Sequence, residues 1–164
     1  MLRYSWTIIL LLFAGPLVSG QCLTTLPTNP SFVPPAPFPS TAPNSTFWFG
    51  SDDLWTALEF GGKWTAYANE QGGWVFQNKL VFWQRGFDWR KETQPNLIIT
   101  GKRLDGDAPT IAIAHANAVF VPSREAAGMM ILISIPKTGC WEVTAHYKGH
   151  DLSFVVSVEP DARH

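Results

Sequence analysis

The sequence CWEVTAHYKGHDLSFVVSV, residues 140–158, indicates the fold class most clearly. Residues 140–147 and 152–158 each alternate apolar and polar side chains, which is the two-residue period of a half-buried β-strand. Lys148-Gly149-His150-Asp151 lies between them and has the glycine and polar residues of a tight turn. This stretch therefore predicts a β-hairpin near the C-terminus.

Towards the N-terminus, the β pattern continues as short apolar segments separated by Gly, Asp, Asn and Pro. Residues 129–135 form an apolar run that ends at Pro136, which predicts a strand buried on both faces or at the centre of a sandwich. No stretch repeats its apolar residues with the 3.6-residue period of a helix. Strand-like composition also occurs at residues 47–49, 54–58, 63–67, 74–76, 80–83, 97–104 and 110–115. This succession predicts an all-β domain, a sandwich or a barrel, over residues 47–160, with a tail at 161–164.

The first twenty residues have the three parts of a secretory signal peptide. Arg3 supplies the basic part, residues 8–14 supply the apolar part, and Val18-Ser19-Gly20 supplies small residues before a cleavage site. An uncleaved membrane anchor is the alternative, but the apolar run is shorter than the ~20 residues that a span needs. We expect residues 1–20 to be removed and the protein to be secreted or periplasmic, in the cell envelope, with no transmembrane segment left.

Residues 21–46 are rich in proline, most densely at Pro34-Pro35-Ala36-Pro37-Phe38-Pro39. Proline removes backbone donors and fixes φ, so this segment is predicted to be an extended arm rather than a helix or a central strand. Its apolar residues Phe32, Val33 and Phe38 indicate that it lies on the domain. Docking of the arm in an aromatic-lined groove is the lesser alternative.

Cys22 and Cys140 are the two cysteines of the chain, and both follow the signal peptide. An exported protein folds in an oxidising compartment, where an even number of cysteines favours a disulfide. A free or lipidated Cys22 with a buried thiol at Cys140 is the alternative. Lipidation needs a small residue before the cysteine, and Gln21 occupies that position, so a lipid anchor at Cys22 is not favoured.

Two parts of the sequence resemble known proteins. Residues 135–145, IPKTGCWEVTA, resemble the penultimate strand of bacterial immunoglobulin-like domains. LWTAL at 54–58, KRLD at 102–105 and GCWEVT at 139–144 occur in the same order as in a group of uncharacterised exported bacterial proteins, to which the chain is similar over most of the mature domain. The resemblance implies an immunoglobulin-like antiparallel β-sandwich with Trp141 in its core, and it supports the disulfide. It implies no activity, cofactor or catalytic residue.

The composition and the motifs argue against several classes of function. The formal net charge is −1 and charged residues make up 15% of the chain, so no basic surface for nucleic acid is predicted. No Gly-x-Ser-x-Gly motif, phosphate-binding glycine loop or dinucleotide fingerprint occurs. Asp52/Asp53 and Asp105/Asp107 lie beside glycine or a strand start, where aspartate is an ordinary turn residue. We predict a protein that is not an enzyme and binds no cofactor.

A metal site is a weak candidate near the C-terminal hairpin. Glu142 and His146 share one face of a strand, and His150 follows at the turn. Two histidines and a carboxylate are ligands that zinc and copper accept. The simpler interpretation is a pair of exposed histidines at a strand end, because the spacing fixes no third ligand.

Aromatic residues are the one sequence feature that suggests a function. The chain has eight Trp, more than a core of this size requires. Trp89 lies in a polar stretch with Arg85, Asp88 and Arg90, an arrangement in which binding modules stack a ring on a sugar or an aromatic partner. The alternative is that this stretch folds back, its aromatic residues close the end of the sandwich, and Arg90 stacks on Trp89.

These observations predict an exported, non-catalytic binding module of the cell envelope or exterior. Its partner is a protein or a glycan that the sequence does not specify. One alternative is a carbohydrate-binding module that uses exposed tryptophans. A second alternative is a periplasmic metal-handling domain that uses His146 and His150.

Overall fold

A computed structural model describes residues 21–68, 74–121 and 126–161. The predicted signal peptide and residues 162–164 of the predicted tail lie outside these ranges. The described part of the chain forms β-strands and contains no helix, which confirms the all-β class. The ten strands are β1 Thr46–Ser51, β2 Leu54–Glu59, β3 Lys63–Ala68, β4 Trp74–Trp83, β5 Ile98–Arg103, β6 Ile111–Ile113, β7 Asn117–Val121, β8 Ala126–Ile135, β9 Gly139–Tyr147 and β10 His150–Pro160.

The strands form one open, mixed sheet. They pair in the order β1-β2-β4-β3-β10-β9-β5-β6, while β8 also pairs with β4 and carries β7 on its other side. Strands β3 and β10 are parallel, so the prediction of a purely antiparallel arrangement is wrong. Parallel strands need a long connection between them. The chain supplies one here, because β4 to β9 all lie between β3 and β10 in sequence.

The predicted C-terminal hairpin is confirmed as β9 and β10. Its register begins with the Tyr147–His150 pair next to the turn. Lys148 and Gly149 form a two-residue turn, and both have positive φ, 49° and 81°. This is the backbone of type I′ turns, whose twist matches the twist of the two strands.

Strand β8 departs from the prediction made for residues 129–135. Ile131, Ile133 and Ile135 are buried, while Leu132 is 48% exposed. Successive side chains of a strand point to opposite faces, and only one face of β8 meets the core. The prediction of burial on both faces is therefore wrong, although the apolar composition had indicated it.

One large hydrophobic core is shared by two parts of the sheet, the part formed by β1, β2, β4, β7 and β8 and the part formed by β3, β5, β6, β9 and β10. Its buried side chains come from β1, β2, β4 and β8 and also from β3, β5, β9 and β10. Trp141 of β9 has no exposed surface, which confirms its expected position in the core, and its indole N–H donates to the Lys137 carbonyl at 3.0 Å. Burial of such side chains contributes about 25 cal/mol per Å² of apolar surface, which makes this core the main source of stability.

The N-terminal segment, residues 21–45, contains no strand and lies on the domain. The predicted disulfide between Cys22 and Cys140 is present, with the two Cα atoms 5.3 Å apart. The Thr25 N–H donates to the Val155 carbonyl at 2.9 Å, and the Val155 N–H donates to the Thr25 hydroxyl at 2.8 Å. The start of the segment is therefore fixed to β9 and β10.

Further along, the N-terminal segment covers the outer face of β1, β2 and β4. A second apolar cluster there contains Trp48, Trp55 and Trp83, all of them buried. Phe38 lies edge-on to all three rings, at centroid distances between 5.2 and 6.4 Å. The indole N–H of Trp48 donates to the Pro39 carbonyl at 2.9 Å. Three of the surplus tryptophans thus pack against the chain's own N-terminal segment.

Candidate binding site

Residues 84–97 connect β4 to β5 without a strand, and we call them the long loop. Connections of this length in a compact domain often carry binding or catalytic residues. The four predicted ligand-binding residues, Arg85, Asp88, Trp89 and Arg90, all lie in its first half. Their surroundings decide which of them can contact a ligand.

The long loop is anchored to the C-terminal hairpin. Phe87 packs against the core, with its ring centroid 6.4 Å from that of Tyr147. The Glu92 carboxylate accepts hydrogen bonds from the Tyr147 hydroxyl at 2.8 Å and from the Lys148 ammonium at 2.6 Å. These contacts hold the middle of the loop in one place.

The three groups of this contact, Glu92, Lys148 and Tyr147, keep their ordinary protonation states at neutral pH. Partial burial alone would raise the pKa of Glu92, but hydrogen bonds from Lys148 and Tyr147 outweigh it and lower the pKa below its usual value. The hydrogen bond to Glu92 raises the pKa of Lys148. Burial raises the pKa of Tyr147. Such groups suit a permanent ion pair rather than proton transfer near pH 7.

Trp89 is half-buried, and both Arg90 and Phe120 contact its ring. The Arg90 guanidinium lies 5.1 Å from the centroid of the indole, and the Phe120 ring lies 6.2 Å away at an angle of 35°. A ring covered in this way has less free face for stacking on a sugar. The geometry matches the alternative in which the stretch folds back and Arg90 stacks on Trp89.

Asp88 bonds to the backbone and side chains of its own loop. Its carboxylate accepts a hydrogen bond from the Arg90 N–H at 3.1 Å and pairs with the Lys91 ammonium at 3.3 Å. Both hydrogen bonds lower the pKa of Asp88. Asp88 therefore acts as a turn residue rather than as a group directed at an open site.

Arg85 is the predicted residue that lines an open site. It forms an ion pair with Asp52, which follows β1, and both side chains are more than half exposed. Exposed ion pairs contribute little stability, so this one leaves both charges available to a partner. The site is a cleft between the long loop and the N-terminal segment.

The cleft has a volume of about 220 Å³ and walls built mainly from proline, alanine and aromatic residues. The N-terminal segment contributes residues 35–38, and the long loop contributes residues 84–87. Ala126 and Ala127 at the start of β8 complete the wall, and Trp55 of β2 forms the floor. The cleft therefore exists only where these four parts of the chain meet.

Trp55 has a polar atom that the fold leaves unsatisfied. Its side chain is fully buried, and its indole N–H has no hydrogen-bond acceptor among the described residues. A buried unpaired donor costs about 1–3 kcal/mol, and native structures keep few of them. The cleft thus combines proline, alanine and aromatic side chains with the exposed Arg85 side chain.

Sequence reasoning identified Arg85 but did not identify Trp55 or residues 35–38 as parts of a site. Trp55 lies within a strand pattern, which indicates a core position and no more. The sequence did give one indication that residues 35–38 contact the domain, because Phe38 was expected to lie on it. A proline-rich segment that covers part of a sheet also forms one wall of any opening at its border.

The weak metal candidates do not converge in the structure. Each one has another polar neighbour: His146 lies 2.7 Å from Asp151 and 2.9 Å from Thr100, Glu142 lies 2.8 Å from Lys102, and His150 lies 3.8 Å from Asp53. Among the described residues, no group of three or more His, Cys, Asp or Glu side chains is placed to hold a metal ion. The cleft is therefore the better-formed candidate.

Comparisons of the chain with protein-family models, with curated proteins and with solved structures find no match. Within residues 21–68, 74–121 and 126–161, no helix combines the length and the apolar composition that membrane crossing requires. The function is therefore argued from the geometry of the cleft and its surroundings.

Proposed function

We propose that the chain is an exported, non-catalytic β-sandwich domain that binds a protein partner of the cell envelope or exterior. The partner inserts one apolar ring, from a proline or an aromatic residue, into the cleft between the N-terminal segment and the long loop. The observation that carries this proposal is the cleft itself, which residues 35–38, Trp55, residues 84–87 and residues 126–127 line together.

The walls of the cleft favour a ring of this kind. Pro35, Pro37, Phe38 and Phe87 offer stiff apolar surfaces. The volume of about 220 Å³ suits one side chain better than a drug-sized ligand, for which pockets of roughly 300–1,000 Å³ are usual. Protein interfaces concentrate their binding energy where one anchor side chain fills such a pocket.

The ionised groups near the cleft support binding rather than acid–base catalysis. The pKa values of Asp88 and Glu92 are lowered, whereas a general acid needs a pKa near the working pH. Arg85 is paired with Asp52 at the rim. A charged pair around an apolar pocket is typical of a recognition surface, in which the rim sets orientation and the pocket supplies affinity.

Export and the finer description of the fold have separate support. The Cys22–Cys140 disulfide supports export, because such bonds persist in oxidising compartments. The large hydrophobic core that β1, β2, β4 and β8 share with β3, β5, β9 and β10 supports a sandwich. The LWTAL, KRLD and GCWEVT motifs support membership of the exported bacterial group with an immunoglobulin-like fold.

Calorimetric titration of the disulfide-bonded, exported protein tests the proposal. The probes are N-acetylprolinamide and N-acetylphenylalaninamide, each of which carries a ring next to a carbonyl. We expect weak, saturable binding of at least one probe. Ala127→Phe fills the cleft and should abolish the heat of binding, because Ala127 lines its wall. Ala112→Phe is the matched control, because Ala112 is exposed on β6 and does not line the cleft.

Denaturant unfolding of each variant shows whether it retains the fold. If Ala127→Phe is unfolded, Arg85→Ala takes its place and should weaken binding several-fold through loss of the rim donor. The proposal is contradicted if neither probe binds, or if binding survives in a folded Ala127→Phe protein. Catalysed hydrolysis of either amide would contradict it as well.

A further inference from the structure

A second depression, of about 300 Å³, lies at the other end of the long loop, and we call it the polar pocket. The long loop contributes residues 94–96, the connection between β6 and β7 contributes residues 114–116, and β7 contributes Asn117. The Ala118 N–H donates to the Thr93 carbonyl at 2.9 Å, which ties the two walls together. The fold therefore holds both walls in place before any ligand arrives.

The backbone of the polar pocket is anchored even though its polar side chains reach solvent. Pro95 and Ala116 are buried, and Leu97 has no exposed surface. His115 has a φ of 71°, a left-handed conformation that is costly for a residue with a side chain. A costly conformation persists only where the surrounding structure imposes it, so His115 is presented in a defined way.

Four exposed polar side chains surround the polar pocket: Gln94, Asn96, His115 and Asn117. Within the described part of the chain, none of these four side chains forms a hydrogen bond. An amide group both donates and accepts hydrogen bonds, and a neutral imidazole does the same. Groups with both capacities complement hydroxyls, which also donate and accept.

In the part of the chain that the structure describes, the lining of the polar pocket consists of amide, imidazole, proline and alanine side chains. Lys, Arg, Asp and Glu are all absent from its lining residues in the described chain. The nearby Glu92 carboxylate is already bonded to Tyr147 and Lys148. A charged ligand would lose hydration in this pocket without gaining a counter-charge. The chemistry therefore favours a neutral ligand.

We propose that the polar pocket binds a neutral hydroxylated ring, one pyranose unit of a glycan. This site is independent of the cleft and of the protein partner proposed for it. The proposed carbohydrate site is therefore the polar pocket and not Trp89, because Arg90 and Phe120 lie against the ring of Trp89.

Two-dimensional ¹H–¹⁵N spectra of the disulfide-bonded protein test this inference. The neutral probes are glucose, galactose and N-acetylglucosamine, and the charged probe is glucose 6-phosphate. We expect at least one neutral sugar to shift the side-chain amide signals of Gln94, Asn96 and Asn117 saturably. We expect glucose 6-phosphate to bind more weakly than the neutral sugar it derives from.

Two variants remove groups from the polar pocket. Asn117→Ala removes an amide, and His115→Gly removes the imidazole while keeping a residue that tolerates positive φ. Each variant should weaken binding roughly three- to tenfold, the effect of one lost hydrogen bond. Gln77→Ala is the matched control, because Gln77 is an exposed amide on β4 outside this pocket, and it should leave binding unchanged. Ala127→Phe in the cleft should also leave sugar binding unchanged, which separates this site from the cleft.

Saturable shifts that are confined to the polar pocket and reduced in both variants support the inference. It is overturned if no neutral sugar produces saturable shifts, or if binding is undiminished in both folded variants. Tighter binding of glucose 6-phosphate also overturns it. Gln94→Ala, at an exposed position, replaces either variant whose unfolding curve shows a lost fold.

Discussion

Two tryptophan-containing regions of the molecule differ in what covers them. On the outer face of β1, β2 and β4, Trp48, Trp55 and Trp83 are buried beneath the chain's own N-terminal segment. On the long loop, Trp89 is half-buried, and Arg90 and Phe120 lie against its ring. The difference teaches that a surplus of tryptophan does not by itself mark a ligand surface. Much of the surplus here holds a segment that has no strand of its own.

The two regions also differ in what fixes them to the domain. The N-terminal segment has a disulfide, hydrogen bonds to β10 and the insertion of Phe38 among three rings. The first half of the long loop has exposed ion pairs, a cation–π contact and one apolar anchor, Phe87. Exposed charge contacts contribute much less stability than covalent or apolar ones. Changes in the N-terminal segment should therefore cost more than changes around Trp89.

Removal of the disulfide should have the largest effect on stability. Cys22→Ser combined with Cys140→Ser opens a loop that joins residues 118 positions apart. In the chain-entropy model, such a loop contributes about 4–5 kcal/mol to the free energy of unfolding. Urea denaturation of the oxidised protein and of the double variant measures the loss. An unchanged midpoint would show that the segment is not held by this bond.

Removal of the Phe38 ring should have the next largest effect. Phe38→Ala empties the space among three tryptophans and should lower the free energy of unfolding by about 2–3 kcal/mol. Val33→Ala in the same segment is the control, because Val33 is 53% exposed and should cost about 0.5 kcal/mol or less. Chemical denaturation of both variants checks the difference. Equal losses of stability in Phe38→Ala and Val33→Ala would mean that the tryptophan cluster does not hold the N-terminal segment.

Removal of the Trp89 ring should cost less than removal of Phe38. Trp89→Ala deletes a half-buried side chain and one exposed cation–π contact, which together contribute about 1 kcal/mol. Thermal unfolding of Trp89→Ala beside Phe38→Ala gives the direct comparison. If Trp89→Ala is the more destabilising variant, the contrast between the two regions fails.

The smallest predicted effect concerns the pH dependence of the loop anchor. The folded pKa of Glu92 lies below its ordinary value of 4.5, so its contribution is present above that pH and is lost as the pH falls through the lower, folded value. Glu92→Gln should therefore reduce stability at neutral pH by about 0.5 kcal/mol or less, since the Lys148 partner is largely exposed. The difference in the free energy of unfolding between Glu92→Gln and the unaltered protein should vanish at acidic pH. Denaturation at several pH values measures it, and a difference that grows in acid would contradict the sign.

Local patterns made part of this structure predictable. Alternation over residues 140–158 predicted β9 and β10 because a hairpin depends on neighbours in sequence. The pairing of Cys22 with Cys140 followed from the expected compartment and the even count. The parallel pairing of β3 with β10 depends on contacts between residues that are far apart in sequence, which no local pattern encodes.

The candidate site was less predictable than the fold. Arg85 was identified from its aromatic and charged neighbours, but Trp55 looked like any strand residue. The cleft arises from four separate parts of the chain, residues 35–38, Trp55, residues 84–87 and residues 126–127. Their meeting depends on the path of the N-terminal segment over the sheet. The same path explains why the surplus tryptophans are packed rather than presented to solvent.

The central claim is that ligand recognition occurs at the cleft floored by Trp55 and not at Trp89. Indole N–H signals in ¹H–¹⁵N spectra, assigned by single Trp→Phe substitutions, test this claim during titration with N-acetylphenylalaninamide. The account predicts a saturable shift of the Trp55 signal, with the Trp89 signal unchanged. A saturable shift of the Trp89 signal with the Trp55 signal unchanged would contradict it.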